Sequence, residues 1–159
     1  MKAALVGYGK MGKIIERLGS KEGIEFTKII DQGDDISNLR EQYIDIAIEF
    51  TQPESAFENI RFCLESNIKV ISGTTGWLSR LPQIKEICEM NNGTFLYASN
   101  FSVGVNLFFE LNEWLAQKTA SLGFIPEMQE VHHTEKKDRP SGTAITLAEG
   151  TMKNYRSGG

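Results

Sequence analysis

A glycine-rich turn between a short apolar strand and a helix is the feature that most restricts the fold of this chain. Ala3–Val6 has the composition of a buried strand, and residues 7–12 read Gly-Tyr-Gly-Lys-Met-Gly. Glycines at this G-x-G-x-x-G spacing permit a tight turn and let an anion approach the amide N–H groups at a helix N-terminus. The turn predicts a dinucleotide-binding domain, with a plain tight turn as the alternative. The candidate dinucleotide ligands here are Gly7, Gly9, Lys10, Met11 and Gly12.

Apolar, β-branched segments recur along the chain and alternate with segments of helical periodicity. This alternation is typical of a parallel sheet covered by helices, so we expect a Rossmann-like α/β domain. Further strands are predicted at 26–30, 44–50, 69–72 and 94–97. Helices are predicted near 11–18, 52–64, 81–88 and 103–119, with a turn or two of helix within 34–43.

The helix near residue 52 carries the clearest start signals. Thr51 and Glu54 have the spacing of a capping box, and Pro53 suits a first helical turn. In the helix 103–119, apolar residues recur on one side, which gives the helix an apolar face. The members of that face are Val103, Leu107, Leu111, Trp114 and Leu115.

An acidic residue follows the second predicted strand, where a dinucleotide-binding domain holds the ribose. Asp31 lies 19 positions after Gly12, and its carboxylate can accept hydrogen bonds from an adenosine ribose. A solvated strand end is the alternative reading of Asp31. The next residue, Gln32, offers no positive charge to neutralise a 2′-phosphate. We therefore expect NADH or NADPH as the cofactor, with NADH favoured.

Two polar turns follow the fourth and fifth predicted strands. Carboxyl ends of parallel strands share one edge of the sheet, and open sheets bind ligands at that edge. Both turns are therefore candidates for the nicotinamide site, although the first is also explained as a strand-to-helix turn with threonine caps. The candidate residues are Gly73, Thr74 and Thr75 in the first turn, and Ala98, Ser99, Asn100 and Phe101 in the second.

Composition and charge narrow the classes of partner. The 159 residues carry 17 Lys and Arg against 21 Asp and Glu, a formal net charge of −4, so we expect no nucleic-acid partner. The apolar runs are too short to span a membrane, and no secretory leader is evident, so we expect a cytoplasmic protein. Cys63 and Cys88 lie in apolar helical patterns, which argues against a disulfide.

The pattern changes in the last quarter of the chain. We expect a dinucleotide-binding domain over 1–125 and, over 126–159, the start of an α+β substrate domain. That start consists of a strand at 127–134, a charged loop, and a helix that opens at Ser141. A lone strand cannot complete a sheet, so we expect either a C-terminally shortened chain or strands supplied by other chains.

The chain's two histidines are adjacent, at His132 and His133, and Lys136 follows closely. Two surface histidines are the simplest interpretation of this pair. A helix N-terminus together with Lys136 is suited to bind a carboxylate, and an imidazole beside it can donate a proton near neutral pH. We predict no metal site, because no third histidine is present and the cysteines belong to a different part of the pattern.

The segment 130–144, Glu-Val-His-His-Thr-Glu-Lys-Lys-Asp-Arg-Pro-Ser-Gly-Thr-Ala, resembles the signature of the dihydrodipicolinate reductases. The glycine turn at 7–12, the Gly-Thr-Thr-Gly turn at 73–76 and the segment 99–106 occur in the order of that family, so the resemblance covers nearly the whole chain. It implies NAD(P)H-dependent reduction of 4-hydroxy-tetrahydrodipicolinate to tetrahydrodipicolinate, a step of diaminopimelate and lysine biosynthesis. It also implies a homotetramer for the full-length protein.

The same resemblance implies roles for individual residues. His132 is in the position of the catalytic acid and Lys136 in that of its partner, while His133, Ser141, Gly142 and Thr143 would bind the dicarboxylate substrate. Two positions depart from the pattern: Glu135 replaces a residue that is often basic or His, and Arg139 replaces a small residue. Because family members continue beyond this point, the competing hypothesis is a nucleotide-binding fragment without turnover.

Overall fold

The structure is a computed structural model that describes residues 1–41, 43–132, 134 and 139–155. The chain divides into two compact units, Met1–Ala98 and Ser99–Gly159. The expected domain division at residue 125 stays a prediction. None of the helices in these described ranges is both long and apolar enough to cross a membrane.

The first unit is a parallel sheet of five strands, as the alternating pattern predicts. The strands are β1 (Lys2–Val6), β2 (Glu25–Ile30), β3 (Ile46–Glu49), β4 (Lys69–Ser72) and β5 (Phe95–Tyr97), in the spatial order β2-β1-β3-β4-β5. The helices of this unit are α1 (Lys10–Lys21), α2 (Pro53–Glu65) and α3 (Leu81–Met90), with 3-10 turns at Ile36–Glu41 and Leu78–Arg80. The order reverses between β1 and β3, which defines the point at which such sheets bind ligands.

Burial explains why these segments form the sheet. Residues 3–6 of β1 are all buried, as expected for an interior strand of a parallel sheet that is covered on both faces. Helix α2 packs Phe57, Ile60 and Leu64 into the same core. Cys63 is part of that core and Cys88 lies beside it, and both are free thiols. Burial raises the pKa of Cys63 to about 12, so its thiol stays protonated and unreactive.

The predicted capping box at Thr51 and Glu54 is wrong. The residue that precedes α2 is Gln52, no side chain caps the helix, and Pro53 occupies the first turn as expected. The Thr51 hydroxyl instead donates to the carboxylate of Glu49. Thr51 lies one residue before the N-cap position, and its hydroxyl donates to Glu49 because a buried carboxylate is costly without hydrogen bonds.

The second unit contains α4 (Val103–Thr119), a 3-10 turn at Ala120–Leu122, and α5 (Gly142–Tyr155). The helices pack side by side: the Asn112 amide donates to the Leu147 carbonyl at 3.0 Å, and Lys153 pairs with Glu113 at 2.6 Å. The predicted apolar face of α4 is exposed rather than buried. Residues of α4 such as Asn112 and Ala116 face α5 instead, and the described part of the unit supplies no second layer for the apolar side.

The strand predicted at 127–134 does not form within the described residues. Residues 127–132 have no strand assignment, and all five strands of the described chain belong to the first unit. The physical reason is the absence of a pairing strand in this part of the described chain, since a strand is stable only when its N–H and C=O groups are bonded to a neighbour.

Candidate functional site

The glycine turn after β1 is shaped by two close backbone approaches. Gly7 has φ +99°, and a Cβ at this position would lie 2.1 Å from the Phe50 carbonyl oxygen. A Cβ at Gly12 would lie 2.2 Å from the Gly7 carbonyl oxygen. These two positions need glycine for the fold itself, because any side chain there would push α1 away from β1.

Gly9 is different, because an added Cβ would meet no described atom within 4 Å. Internal packing therefore does not explain this glycine. Helix α1 begins directly after Gly9, with no side-chain cap and no acidic residue in its first turn. Its first amide N–H groups lack intrahelical partners and are suited to bind an anion such as a pyrophosphate. The cradle over Gly9 therefore fits the predicted dinucleotide, and Lys10 and Met11 form the exposed first turn of α1 beside it.

Asp31 follows β2, as expected from the sequence, and it lies beside the glycine turn. Its Oδ1 accepts a hydrogen bond from the Tyr8 amide at 3.3 Å, and its own amide donates to Asp34 at 2.8 Å. The side chain is exposed. The structure thus brings an accessible carboxylate, at the end of β2, into contact with the turn that contains Gly7 and Gly9.

The Gly73–Thr75 turn also reaches the same edge of the sheet. A Cβ at Gly73 would lie 2.2 Å from the Phe50 ring, so Phe50 contacts both glycine turns. The Thr74 side chain is only 6% exposed. Its hydroxyl donates to Glu49 at 2.7 Å, and its carbonyl accepts from the Trp77 indole N–H at 2.7 Å. The Thr74 hydroxyl is thus engaged inside the protein, whereas Thr75 is partly exposed.

Sequence reasoning missed Glu49, which is 1% exposed at the carboxyl end of β3. Its carboxylate accepts hydrogen bonds from the hydroxyls of Thr51, Ser72 and Thr74 and from the Thr51 amide. The available signal was a charged residue at the end of an otherwise apolar run, at a strand end that faces a ligand-binding edge.

The turn Ala98–Phe101 is divided between the two units. Ala98 stays with the sheet, where its amide donates to the Ser72 carbonyl at 3.3 Å. Ser99, Asn100 and Phe101 belong to the second unit. There the Ser99 and Thr146 hydroxyls lie 3.2 Å apart, and the Asn100 carboxamide oxygen accepts from the Ser102 amide at 2.8 Å. Ala98 is thus placed beside the end of β4, in the same unit as the Gly73 turn.

In the second unit, one carboxylate joins His132 to the start of α5. Glu130 Oε1 accepts from the Ser141 amide at 3.0 Å, and Oε2 accepts from the Ser141 hydroxyl at 2.6 Å. The His132 Nε2 atom lies 2.9 Å from Oε2. Hydrogen bonds from the Ser141 hydroxyl, His132 and the Ser141 amide lower the pKa of Glu130 to about 2.

Ser141 is buried and directly precedes α5, and its hydroxyl also accepts from the Ala144 amide at 3.1 Å. The amide and hydroxyl of Ser141 are thus engaged with the protein. Gly142 and Thr143, in the first turn of α5, are partly exposed. Of the predicted substrate ligands, His133 and Lys136 lie outside the described residues, as does Glu135. Arg139 is exposed.

Two further features of the described residues bear on binding. They contain no group of three or more His, Cys, Asp or Glu side chains arranged to hold a metal ion. A cavity of about 620 Å³ lies between α4, α5 and residues 126–129, and it is lined by none of the predicted site residues.

Two family models match the chain. The model described as dihydrodipicolinate reductase, N-terminus, matches residues 1–101, and the model described as dihydrodipicolinate reductase, C-terminus, matches residues 104–158. Together they cover both compact units.

Curated relatives carry the corresponding name. The chain is 47% identical over 152 residues to the 4-hydroxy-tetrahydrodipicolinate reductase of Christiangramia forsetii, with 94% of this chain and 63% of the relative covered. It is 32% identical to the reductase of the same name from Corynebacterium urealyticum, with 95% of this chain and 60% of the relative covered. The chain therefore spans about three fifths of the length of these relatives.

Solved structures agree with the family models. A dipicolinate-bound dihydrodipicolinate reductase from Paenisporosarcina sp. TG-14 matches with a TM-score of 0.66 and 26% identity, over 99% of this chain and 67% of that one. An NAD-binding protein from Listeria innocua matches with a TM-score of 0.58 and 19% identity, over 75% of this chain and 41% of that one, which indicates a shared fold. With both family models matched in order and the Rossmann-like sheet in place, the chain belongs to the dihydrodipicolinate reductase family.

Proposed function

We propose that this chain catalyses the NAD(P)H-dependent reduction of 4-hydroxy-tetrahydrodipicolinate to tetrahydrodipicolinate. The observation that carries the proposal is the match of both family models in one chain, one over the sheet with the glycine turn and the other over the Glu130–Ser141 segment. The curated relatives are named for this reaction. It is a step of diaminopimelate and lysine biosynthesis.

The cofactor is assigned to the carboxyl edge of the sheet in the first unit. The amides at the start of α1 bind the pyrophosphate over Gly9, while Gly7 and Gly12 keep the turn tight. The exposed Asp31 carboxylate accepts from the ribose hydroxyls, and the absence of a basic residue at Gln32 favours NADH over NADPH. When bound, the reduced nicotinamide would supply a hydride to the C=C–C=N system that the substrate ring gains when its 4-hydroxyl group leaves as water.

The Gly73–Thr75 turn and residues 98–101 are assigned to the nicotinamide half of the cofactor. Because the Thr74 hydroxyl is bonded to Glu49, Thr74 acts through its backbone and holds the turn in shape. Thr75 is partly exposed and is the threonine of this turn whose side chain can reach a ligand.

The substrate is assigned to the second unit. We propose that Lys136, His133 and the amides of Gly142 and Thr143 bind its carboxylates, since a helix N-terminus and a cation attract an anion. Ser141 shapes this site rather than contacting substrate through its hydroxyl, because Glu130 already accepts from that group. His132, held by Glu130, delivers the proton that completes the reduction, with Lys136 as its partner.

We also propose a cytoplasmic homotetramer that acts on this small dicarboxylate, with no nucleic-acid or membrane partner. The formal charge of −4 supports the lack of a nucleic-acid partner. The family resemblance supports the tetramer, which light scattering of the purified protein measures.

Steady-state turnover of substrate made in situ tests this assignment. His132→Ala lowers kcat by about a hundredfold or more, the usual contribution of a positioned proton donor. Lys136→Ala lowers kcat/KM strongly. NADH affinity, measured by calorimetry, stays close to wild type in both, because neither residue belongs to the glycine turn.

Lys137→Ala is the matched control, since it removes the adjacent lysine, and it retains the wild-type rate. Wild-type turnover in both His132→Ala and Lys136→Ala would remove these residues from the mechanism. Binding of NADH without any turnover by the wild-type protein would leave the nucleotide-binding hypothesis in place of the reductase.

A further inference from the structure

A buried carboxylate lies at the point where the strand order of the sheet reverses. Glu49 ends β3, and the register places it opposite Val6 of β1 and Ser72 of β4. Gly7 follows Val6 and Gly73 follows Ser72, so the two glycine turns leave the sheet on either side of Glu49. Ligands of open α/β sheets bind outside the carboxyl ends of the strands at such a reversal.

Placing this carboxylate in the interior is costly unless every acceptor site is used. Oε1 accepts from the Thr74 hydroxyl at 2.7 Å, from the Thr51 amide at 2.9 Å and from the Thr51 hydroxyl, while Oε2 accepts from the Ser72 hydroxyl. Within the described residues Glu49 forms no salt bridge with a Lys or Arg. Its bonds therefore run only to backbone and hydroxyl groups of β4 and of the turns after β3 and β4.

These bonds fix the position of Phe50, the residue between Glu49 and Thr51. The Phe50 amide donates to the Val6 carbonyl at 2.8 Å. A Cβ added to Gly7 would lie 2.1 Å from the Phe50 carbonyl oxygen, and a Cβ added to Gly73 would lie 2.2 Å from the Phe50 ring. Any shift of Thr51 or Thr74 thus moves Phe50, and with it the walls against which both glycine turns rest.

We propose that Glu49 is a positioning residue that fixes the Gly7 turn and the Gly73 turn in the arrangement that accepts the nicotinamide dinucleotide. The proposal rests on the proposed function for the location of the cofactor. Glu49 acts through Thr51, Thr74 and Phe50 and does not itself contact the cofactor. Four hydrogen-bond donors offset the cost of burying the Glu49 carboxylate. The bonds preorganise a binding edge that is made of two separate loops.

Glu49→Gln is the test, because the amide keeps the size of the side chain but replaces one acceptor with a donor and weakens the remaining bonds. The dissociation constant for NADH, measured by calorimetry, rises at least about fivefold, and KM for NADH rises while kcat changes little. Hydrogen exchange of the Thr51 amide, followed by NMR, becomes faster in the variant.

Ile60→Val is the matched control. Ile60 is fully buried in α2 and belongs to the same core, and its truncation lowers stability without touching the Glu49 bonds. This variant keeps the wild-type affinity for NADH. A merely structural Glu49 would behave in the same way as Ile60, with a lower melting temperature and an unchanged dissociation constant.

If Glu49→Gln does not fold, Ser72→Ala removes the donor to Oε2 and raises the dissociation constant for NADH in the same direction. A wild-type dissociation constant in a folded Glu49→Gln variant, or in Ser72→Ala where that variant is needed, overturns the role of Glu49. Absence of NADH binding by the wild-type protein instead overturns the proposed function together with this inference, so the two failures are distinguishable.

Discussion

A single carboxylate organises the start of α5. Glu130 accepts from the amide and the hydroxyl of Ser141 and from His132, so one side chain both caps the helix terminus and orients the imidazole. A negative charge beside a helix N-terminus is also favourable for the helix dipole. The residue proposed to deliver the proton is thus tied to the helix proposed to bind the substrate.

This arrangement makes the stability of the protein depend on pH. The folded protein lowers the pKa of Glu130 from 4.5 to about 2, so its contribution to stability is complete above about pH 4.5 and is lost as the pH falls toward 2. Thermal unfolding of wild type and Glu130→Gln, followed by circular dichroism, gives a melting-temperature difference that favours wild type near neutral pH and shrinks over this interval.

Glu127→Gln is the control for that series, since Glu127 lies on the same segment and forms no hydrogen bond to Ser141 within the described residues. A pH dependence that occurs in Glu130→Gln and not in this control is assigned to the bonds of Glu130. A melting-temperature difference for Glu130→Gln that does not change with pH would show that these hydrogen bonds do not lower the pKa of Glu130.

The glycine turn and α1 form the element that is proposed to bind the dinucleotide. Two of its glycines are required by the chain itself, because Gly7 and Gly12 lie against backbone carbonyl oxygens. Gly9 is required by no contact within the described residues. Gly7 and Gly12 are therefore needed for folding, whereas Gly9 is not needed for packing and is accessible to a ligand.

Gly9→Ala tests whether Gly9 serves ligand binding without a role in folding. Its φ of −74° is accessible to alanine and the methyl group meets open space, so the melting temperature stays within about 2 °C of wild type. The methyl group occupies the approach of the pyrophosphate, so NADH binds at least about tenfold more weakly by calorimetry. Gly104→Ala, which adds a methyl group in the first turn of α4, is the control with unchanged affinity. Unchanged NADH binding in Gly9→Ala would place the dinucleotide elsewhere.

In the molecule as a whole, the sequence was sufficient for the parts governed by local patterns. The five strands of the sheet, the helices α1 to α5 and the position of Asp31 at the end of β2 follow from periodicity and spacing, because each depends on neighbours along the chain or on the parallel topology. The strand predicted at 127–134 was wrong, because sequence alternation cannot supply the partner that a strand needs.

The unpredicted features of the site depend on contacts between distant segments. Thr51 fits the capping-box pattern, yet its hydroxyl bonds to Glu49, and Glu49 in turn is held by Ser72 and Thr74 from the next strand and its turn. Ser141 is a predicted substrate ligand, and the sequence did not predict that its amide and hydroxyl donate to Glu130, eleven residues earlier. Sequence patterns among neighbouring residues do not predict the hydrogen bonds that Glu49 accepts from Ser72 and Thr74, or those that Glu130 accepts from Ser141.

Isotope transfer tests directly whether this chain catalyses the proposed reduction. The purified protein is incubated with NADH that is deuterated at the transferable position and with 4-hydroxy-tetrahydrodipicolinate made in situ, and the product is analysed by mass spectrometry. We expect tetrahydrodipicolinate that contains one deuterium from the cofactor, with formation strongly reduced in His132→Ala. Tight NADH binding with no deuterium in any product would show that the chain binds the dinucleotide without reducing this substrate.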